Sequence, residues 1–304
     1  MDVICIVGPT AVGKTKMSVE LAKRLNGEII SGDSMQIYRG MDIGTAKATT
    51  EERQGIPHYL IDEKNPEEGY SVAEFQRTVR VKIEEIKTRG KLPILVGGTG
   101  LYIKSVLFDY EFSKEVPTEK KVNTDYQHLT NDQVYELLKE IDEKAALEIH
   151  PNNRKRVIRA LEIFKETGVK KSETIEKQEH QLIYEACLIG LTDERNVLYE
   201  RINHRVDKMF DEGLVEEVKR LFDLGIPKES QAIRAIGYKE CYDYFEGLID
   251  LETCKELIKR NSRRYAKRQY TWFRNQMDVN WFEVNINQFE KTILEVENFI
   301  KKMI

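Results

Sequence analysis

Gly8, Pro9, Thr10, Ala11, Val12, Gly13, Lys14 and Thr15 stand in the order G-x-x-x-x-G-K-[ST]. Between a strand and a helix, that order makes an anion cradle. Its glycines let the backbone turn tightly, so that successive N–H groups point inward, and the helix N-terminus adds partial positive charge. Lys14 supplies a full charge, and the Thr15 hydroxyl can ligate Mg²⁺. The motif specifies a diphosphate without saying which one, and a nucleotide would fit it as well.

The acid that such a cradle needs is displaced in this chain. P-loop ATPases carry a Mg²⁺-holding Asp at the end of another apolar strand. Here the clearest such strand, residues 92–96, ends in Gly97-Gly98-Thr99-Gly100. The carboxylate instead follows a short run at 28–31, as Asp33. Ligands of open α/β sheets bind beyond the carboxyl ends of the strands. Asp33 is therefore expected at the cradle's mouth, as a base toward an acceptor or as a metal ligand.

A third feature is basic. Residues 257–277 hold no Asp or Glu, yet include Lys259, Arg260, Arg263, Arg264, Lys267, Arg268 and Arg274, interleaved with Tyr265, Tyr270, Trp272 and Phe273. On a helix, Arg260, Arg264 and Arg268 share one face. A stripe of this kind suits a phosphate backbone, with aromatic rings for unpaired bases.

The elements that must position these groups can be read from patterning. Residues 3–7 are a continuous apolar run, as in a strand buried on both faces of a parallel sheet, and a helix is expected over 14–25. Ser71 to Glu74 has the capping-box spelling and opens a helix to about residue 88. Strand, helix, strand, helix at this spacing predicts an α/β three-layer P-loop core with a mainly parallel sheet. From 113 to 182 the text is polar and helical, with a second capping box at Thr130 to Gln133, which predicts an all-helical insertion domain. Strand character resumes at 186–191, so the core is expected over 1–112 and 183–304. A late strand is expected near 279–284.

The composition permits all of this. The 304 residues are 40% hydrophobic and 33% charged, with a net charge of -4 that does not announce a nucleic-acid partner; local patches decide binding. Four scattered cysteines argue against a structural zinc site and a disulfide framework, and fit a reduced cytoplasm. No apolar stretch approaches the ~20 residues of a membrane span.

At this level the chain resembles a known family. Asp33-Ser34-Met35-Gln36-Ile37-Tyr38-Arg39-Gly40-Met41-Asp42-Ile43-Gly44-Thr45-Ala46-Lys47 is similar to the hallmark block of bacterial tRNA dimethylallyltransferases, also called tRNA isopentenyltransferases. The likeness continues through Pro57 to Asp62, Gly97 to Tyr102, Arg156 to Glu162, Ala235 to Tyr238 and Lys267 to Arg274, in family order and across nearly the whole chain. It implies transfer of a dimethylallyl group from dimethylallyl diphosphate to N6 of the adenosine 3′ to the anticodon of tRNA, with a Mg²⁺ requirement. The acting species is expected to be a monomer. Tyr59 stands where a second His is frequent, so that position is given no chemistry.

An exocyclic adenine amine is a poor nucleophile because its lone pair is delocalised. It needs an acceptor for its proton, and Asp33 is the expected general base, a role worth roughly 10²–10⁴-fold in rate. The allylic carbon carries cationic character as diphosphate leaves. The growing charge calls for preorganised donors: the loop amides, Lys14, Mg²⁺ on Thr15, and arginine. By resemblance, Thr10 lies near the reacting phosphate and Arg205 is a second phosphate clamp. The flipped base would be read by Asp33, Ser34, Met35 and Gln36, with Thr99 at the channel wall and His58 structural. The tRNA-contacting segments implied by family order are Lys155, Arg156, Val157, Ile158 and Arg159; Arg234, Gly237, Tyr238 and Lys239; and Lys267, Arg268, Gln269, Trp272 and Arg274. A P-loop kinase of a small molecule or nucleotide would explain Lys14, Thr15 and Asp33 equally well, but has no need of the basic aromatic helix.

Overall fold

The computed structural model describes residues 1–112, 126–176 and 181–303, and the change of character read near 113 lies outside them. Two compact units result: Met1–Leu107 with Tyr184–Ile304, and Phe108–Ile183. The second unit starts before residue 113 because Phe108 bridges antiparallel to Leu182, while the Asp109 N–H donates to the Gln181 carbonyl.

In the first unit, the chain runs through strand β1 (Val3–Val7), helix α1 (Lys14–Arg24), β2 (Gly27–Ser31), α2 (Thr50–Arg53), β3 (His58–Tyr59), α3 (Val72–Thr88), β4 (Leu92–Gly97) and α4 (Gly100–Leu107). After the second unit it resumes with β5 (Ala186–Thr192). The helical unit itself holds α5 (Asn131–Ile141), α6 (Glu143–Glu148), α7 (Arg154–Thr167) and α8 (Lys171–Glu176). Beyond β5 come α9 (Arg195–Asp211), α10 (Leu214–Asp223), α11 (Tyr238–Phe245), α12 (Leu251–Gln276), β6 (Asn280–Glu283) and α13 (Phe289–Lys301).

The six strands pair in the order β3-β2-β4-β1-β5-β6, and every pairing is parallel. This is the α/β fold expected. β1 sits between β4 and β5, and all five of its residues are fully buried, which is why it reads as an unbroken apolar run rather than an alternating one. Because the strands are parallel, the loops after β1, β2 and β4 emerge at one edge. The core there joins Ile4, Ile6, Ile94 and Ile189 to Met17 and Leu21 of α1 and Val296 and Ile300 of α13. Each such side chain contributes about 1.5–3 kcal/mol of burial.

The helical unit has its own core of Val134, Leu138, Ala146, Ile149, Val157, Ala160 and Leu161. The capping box at Thr130 and Gln133 opens α5 with both reciprocal hydrogen bonds. Val157 is fully buried in this core, so its side chain seats α7. Lys155, Arg156 and Arg159 on the same helix are exposed, and Ile158 is half-buried.

Candidate active site

The loop between β1 and α1 has the backbone that its glycines permit. Gly8, Ala11 and Gly13 all adopt positive φ, at 143°, 64° and 103°. At Gly13 a methyl group would also come within 2.8 Å of the Phe289 ring of α13, so a side chain there is blocked twice over. Lys14 folds back over the loop, its Nζ donating to the carbonyls of Gly8 (3.0 Å) and Pro9 (2.7 Å). Enclosure pushes the Lys14 ammonium down to about 7; the nearby Arg205 charge acts the same way, and Asp33 opposes both. A bound anion would favour the ammonium and oppose this lowering.

Arg205 reaches this loop from α9. Its Nη1 lies 3.3 Å from the Thr10 hydroxyl, so the guanidinium and the loop threonine are joined although they are far apart in sequence. Asp207, two residues further along α9, is held by Lys255 (2.8 Å) and Lys259 (2.9 Å) of α12. Burial lowers Arg205, with Glu52 and Asp33 opposing. Arg201, one turn earlier, lines the same cavity, with Asp193 at 3.0 Å.

Asp33 stands just past the end of β2. Its Oδ1 accepts the Met35 N–H at 2.8 Å, a local turn that fixes the carboxylate. Ser34 is tied to Thr99 at 3.3 Å through its N–H, which joins the loop after β2 to the loop after β4. Gln36 accepts from the Ser31 hydroxyl at 3.0 Å. The Gly97-Gly98-Thr99-Gly100 end of β4 is explained by close approach. A side chain at Gly97 would strike the backbone of Gly32, one at Gly98 would strike Gln269, and one at Gly100 would strike the Trp272 ring.

These groups line one cavity of about 900 Å³ that contains Thr10, Ala11, Gly13, Lys14, Thr15, Asp33, Gln36, Arg205 and Gln269. Among the described residues, no three His, Cys, Asp or Glu side chains gather at metal-ligand spacing. The Thr15 hydroxyl, which lines this cavity, is a side chain that could hold Mg²⁺. His58 lines the cavity wall; its Nδ1 meets the Ile56 carbonyl at 2.8 Å, and burial lowers its pKa against that hydrogen bond, which raises it.

Several residues expected to touch RNA make contacts within the protein. Gln269 is buried, accepting the Thr10 N–H at 2.9 Å and donating to the Gly98 carbonyl at 3.0 Å, so it braces the loop. Tyr238 is fully buried and donates to Glu217 at 2.6 Å, and Gly237 caps α11. The Trp272 ring covers Gly100, though it remains half-exposed. Arg234, Lys239, Lys267, Arg268 and Arg274 are exposed, as are Arg260 and Arg264 of the stripe. Lys259 turns away to Asp207, and Arg263 turns to Asn203.

Two groups take places at the cradle that the sequence does not assign to them. Tyr265, on α12, enters the cavity beside Thr99 and Gln269; burial and then the Asp33 charge push its phenol up to about 12. Phe289 backs the loop from the far end of the chain.

The IPP transferase family model matches residues 36–276. The chain belongs to the IPP transferase family. A tRNA dimethylallyltransferase of Anoxybacillus flavithermus is 56% identical over 300 residues, covering 98% of this chain and 96% of the relative. One from Bacillus cereus strain Q1 is 59% identical over 296 residues, covering 96% and 93%. Among solved structures, the tRNA isopentenylpyrophosphate transferase of Bacillus halodurans matches with a TM-score of 0.74 at 52% identity, covering 99% of this chain and 96% of that one. A eukaryotic dimethylallyltransferase acting on tRNA matches with a TM-score of 0.84 at 32% identity, covering 99% and 79%. Among the described residues, no helix is long and apolar enough to cross a membrane.

Proposed function

We propose that this chain transfers the dimethylallyl group of dimethylallyl diphosphate to N6 of the adenosine 3′ to the anticodon in tRNA, giving N6-isopentenyladenosine. The observation that carries the reading is the convergence of Lys14, Thr10 and Arg205 on the same cavity as Asp33. The relatives named for transfer to tRNA support the acceptor.

The diphosphate rests on the Gly8–Thr15 backbone, against Lys14 and Arg205. The Thr15 hydroxyl fits a Mg²⁺ ion held chiefly by phosphate oxygens, which would offset negative charge on the leaving group. Asp33 accepts the proton of the adenine amine as the new C–N bond forms and the allylic C–O bond breaks; diphosphate departs with the electron pair of that bond. The cations act where charge grows, at the leaving oxygen, so their contribution is larger in the transition state than in the bound donor. Arg260, Arg264, Lys267 and Arg268 present an exposed basic face for the anticodon-loop backbone, and the chain acts as a monomer.

The test is incubation of the purified chain and Mg²⁺ with an anticodon stem-loop RNA and either labelled dimethylallyl diphosphate or labelled ATP. Prenyl label entering RNA supports the reading. Phosphoryl label moving from ATP to any acceptor, with no prenyl transfer, refutes it in favour of a kinase.

A further inference from the structure

Glu217 of α10 is almost wholly buried, yet its carboxylate is fully occupied. Oε2 accepts the N–H groups of Asp42 (2.8 Å) and Ile43 (2.9 Å); Oε1 accepts the Gly44 N–H (3.1 Å) and the Tyr238 hydroxyl (2.6 Å). Three successive amides converging on one anion form a backbone nest, and here the anion is a side chain of the protein itself. The Tyr238 ring lies so close over Gly44 that an added methyl would meet it at 2.5 Å, which fixes the loop from its other side.

The held segment leads into the cavity. Asp42, Ile43, Thr45 and Ala46 line it, and the carbonyls of Thr45 and Ala46 each lie 3.4 Å from the Gln36 amide nitrogen. Gln36 in turn receives the Ser31 hydroxyl, whose oxygen lies 3.4 Å from the Asp33 N–H. Hydrogen bonds joined through the backbone of the 42–46 loop therefore link Glu217 and Tyr238 to the residues on either side of the candidate base. Tyr238 itself opens α11, next to exposed Lys239 and within the segment holding exposed Arg234.

We infer that Glu217 is a positioning residue: its buried carboxylate organises the 42–46 loop, and through it orients the Gln36 amide for the acceptor base, leaving the diphosphate cradle untouched. The inference rests on the function proposed above. The hydrogen bonds of the Glu217 carboxylate go to the 42–44 amides and Tyr238 and not to the Gly8–Thr15 loop, so the inference expects its loss to fall on acceptor use and to spare donor affinity.

The experiment is a double-mutant cycle on RNA prenylation at limiting RNA, with donor affinity measured separately by titration with a non-reactive prenyl diphosphate analogue. Glu217→Ala leaves four donors unpaired and is expected to lower kcat/KM for RNA by roughly 10²-fold. Glu217→Gln keeps one acceptor oxygen and should recover about a tenth of the wild-type value. Tyr238→Phe, which keeps the ring on Gly44, serves where the alanine variant does not fold. Donor affinity should stay within about twofold in each. In a Gln36→Ala background, Glu217→Gln should cost at least about threefold less than in the wild type, because both act through one amide. Amide exchange at residues 42–44 should quicken in Glu217→Gln. Fully additive losses, an equal loss of donor affinity, or unchanged exchange would overturn the inference. A wild-type chain that alkylates no RNA refutes the proposed function instead, and amide exchange then decides alone whether Glu217 holds the loop.

Discussion

Replacing Lys14 by Arg gives a direct view of how the cradle uses charge. In the empty site the Lys14 ammonium is pushed down to about 7, chiefly by enclosure. A bound diphosphate brings negative charge against it and returns it toward the ordinary lysine range of about 10.4. The occupied state then binds more protons than the empty one, so affinity must fall as pH rises through that interval. With the lower value at about 7 and the bound group staying charged, donor binding takes up ~0.1 proton at pH 6, ~0.5 at pH 7 and ~0.9 at pH 8. The dissociation constant should rise roughly tenfold per pH unit above 7. The guanidinium of the Lys14→Arg variant cannot lose its proton in this range. That variant therefore shows only the donor's own titration, and the difference between the two proteins isolates Lys14. Calorimetric titration with a prenyl diphosphate analogue, in buffers of different ionisation heat, reads the proton uptake. Equal uptake by wild type and Lys14→Arg at pH 8 would show that Lys14 is already charged in the empty cradle, against this expectation.

Other perturbations follow from the same geometry. Asp33→Asn keeps the shape of the turn at Met35 but removes the proton acceptor; single-turnover prenylation should slow by roughly 10²–10⁴-fold while donor affinity stays within about threefold. Gln269→Ala leaves the Thr10 N–H and the Gly98 carbonyl without their partner. It should cost about 1–3 kcal/mol by denaturant unfolding and weaken donor binding, since Thr10 belongs to the cradle. Replacing Arg260, Arg264 and Arg268 together by Ala should weaken RNA binding at every sequence, and should flatten the log–log salt dependence by about 0.7 for each RNA phosphate that is no longer neutralised. An unchanged slope would take the stripe out of the interface.

The parts of this structure that could be read in advance are those whose meaning is local. β1, the Gly8–Thr15 loop and α1 are contiguous, and an anion cradle needs no distant partner to be recognised. Asp33 was legible because a parallel sheet gathers the carboxyl ends of its strands at one edge, whatever their order. The exposed arginines of α12 followed from helical spacing alone. The residues assigned in unbroken runs fared differently, for the same reason of periodicity. A helix sends every third or fourth side chain inward, so Val157 and Gln269 are buried although their neighbours Arg156 and Arg268 are exposed. Gln269 reads as an RNA-binding residue in sequence because its partners, Thr10 and Gly98, lie 259 and 171 residues away. Glu217, which holds Gly44 across 173 residues, and Phe289, which backs Gly13, carry no local signal: a buried carboxylate and a buried ring read as ordinary helix residues until the fold brings their partners to them.

If a prenyl group leaves a cradled diphosphate and arrives on an adenine amine in RNA, the RNA must carry the mark. Mass analysis of nucleosides from tRNA treated with the purified chain, Mg²⁺ and dimethylallyl diphosphate reads that mark. The expected result is one adenosine per susceptible tRNA, 3′ to the anticodon, heavier by one five-carbon unit, and none with Asp33→Asn at matched times. Unmodified adenosine throughout, or the added unit on another base, would contradict the proposed reaction.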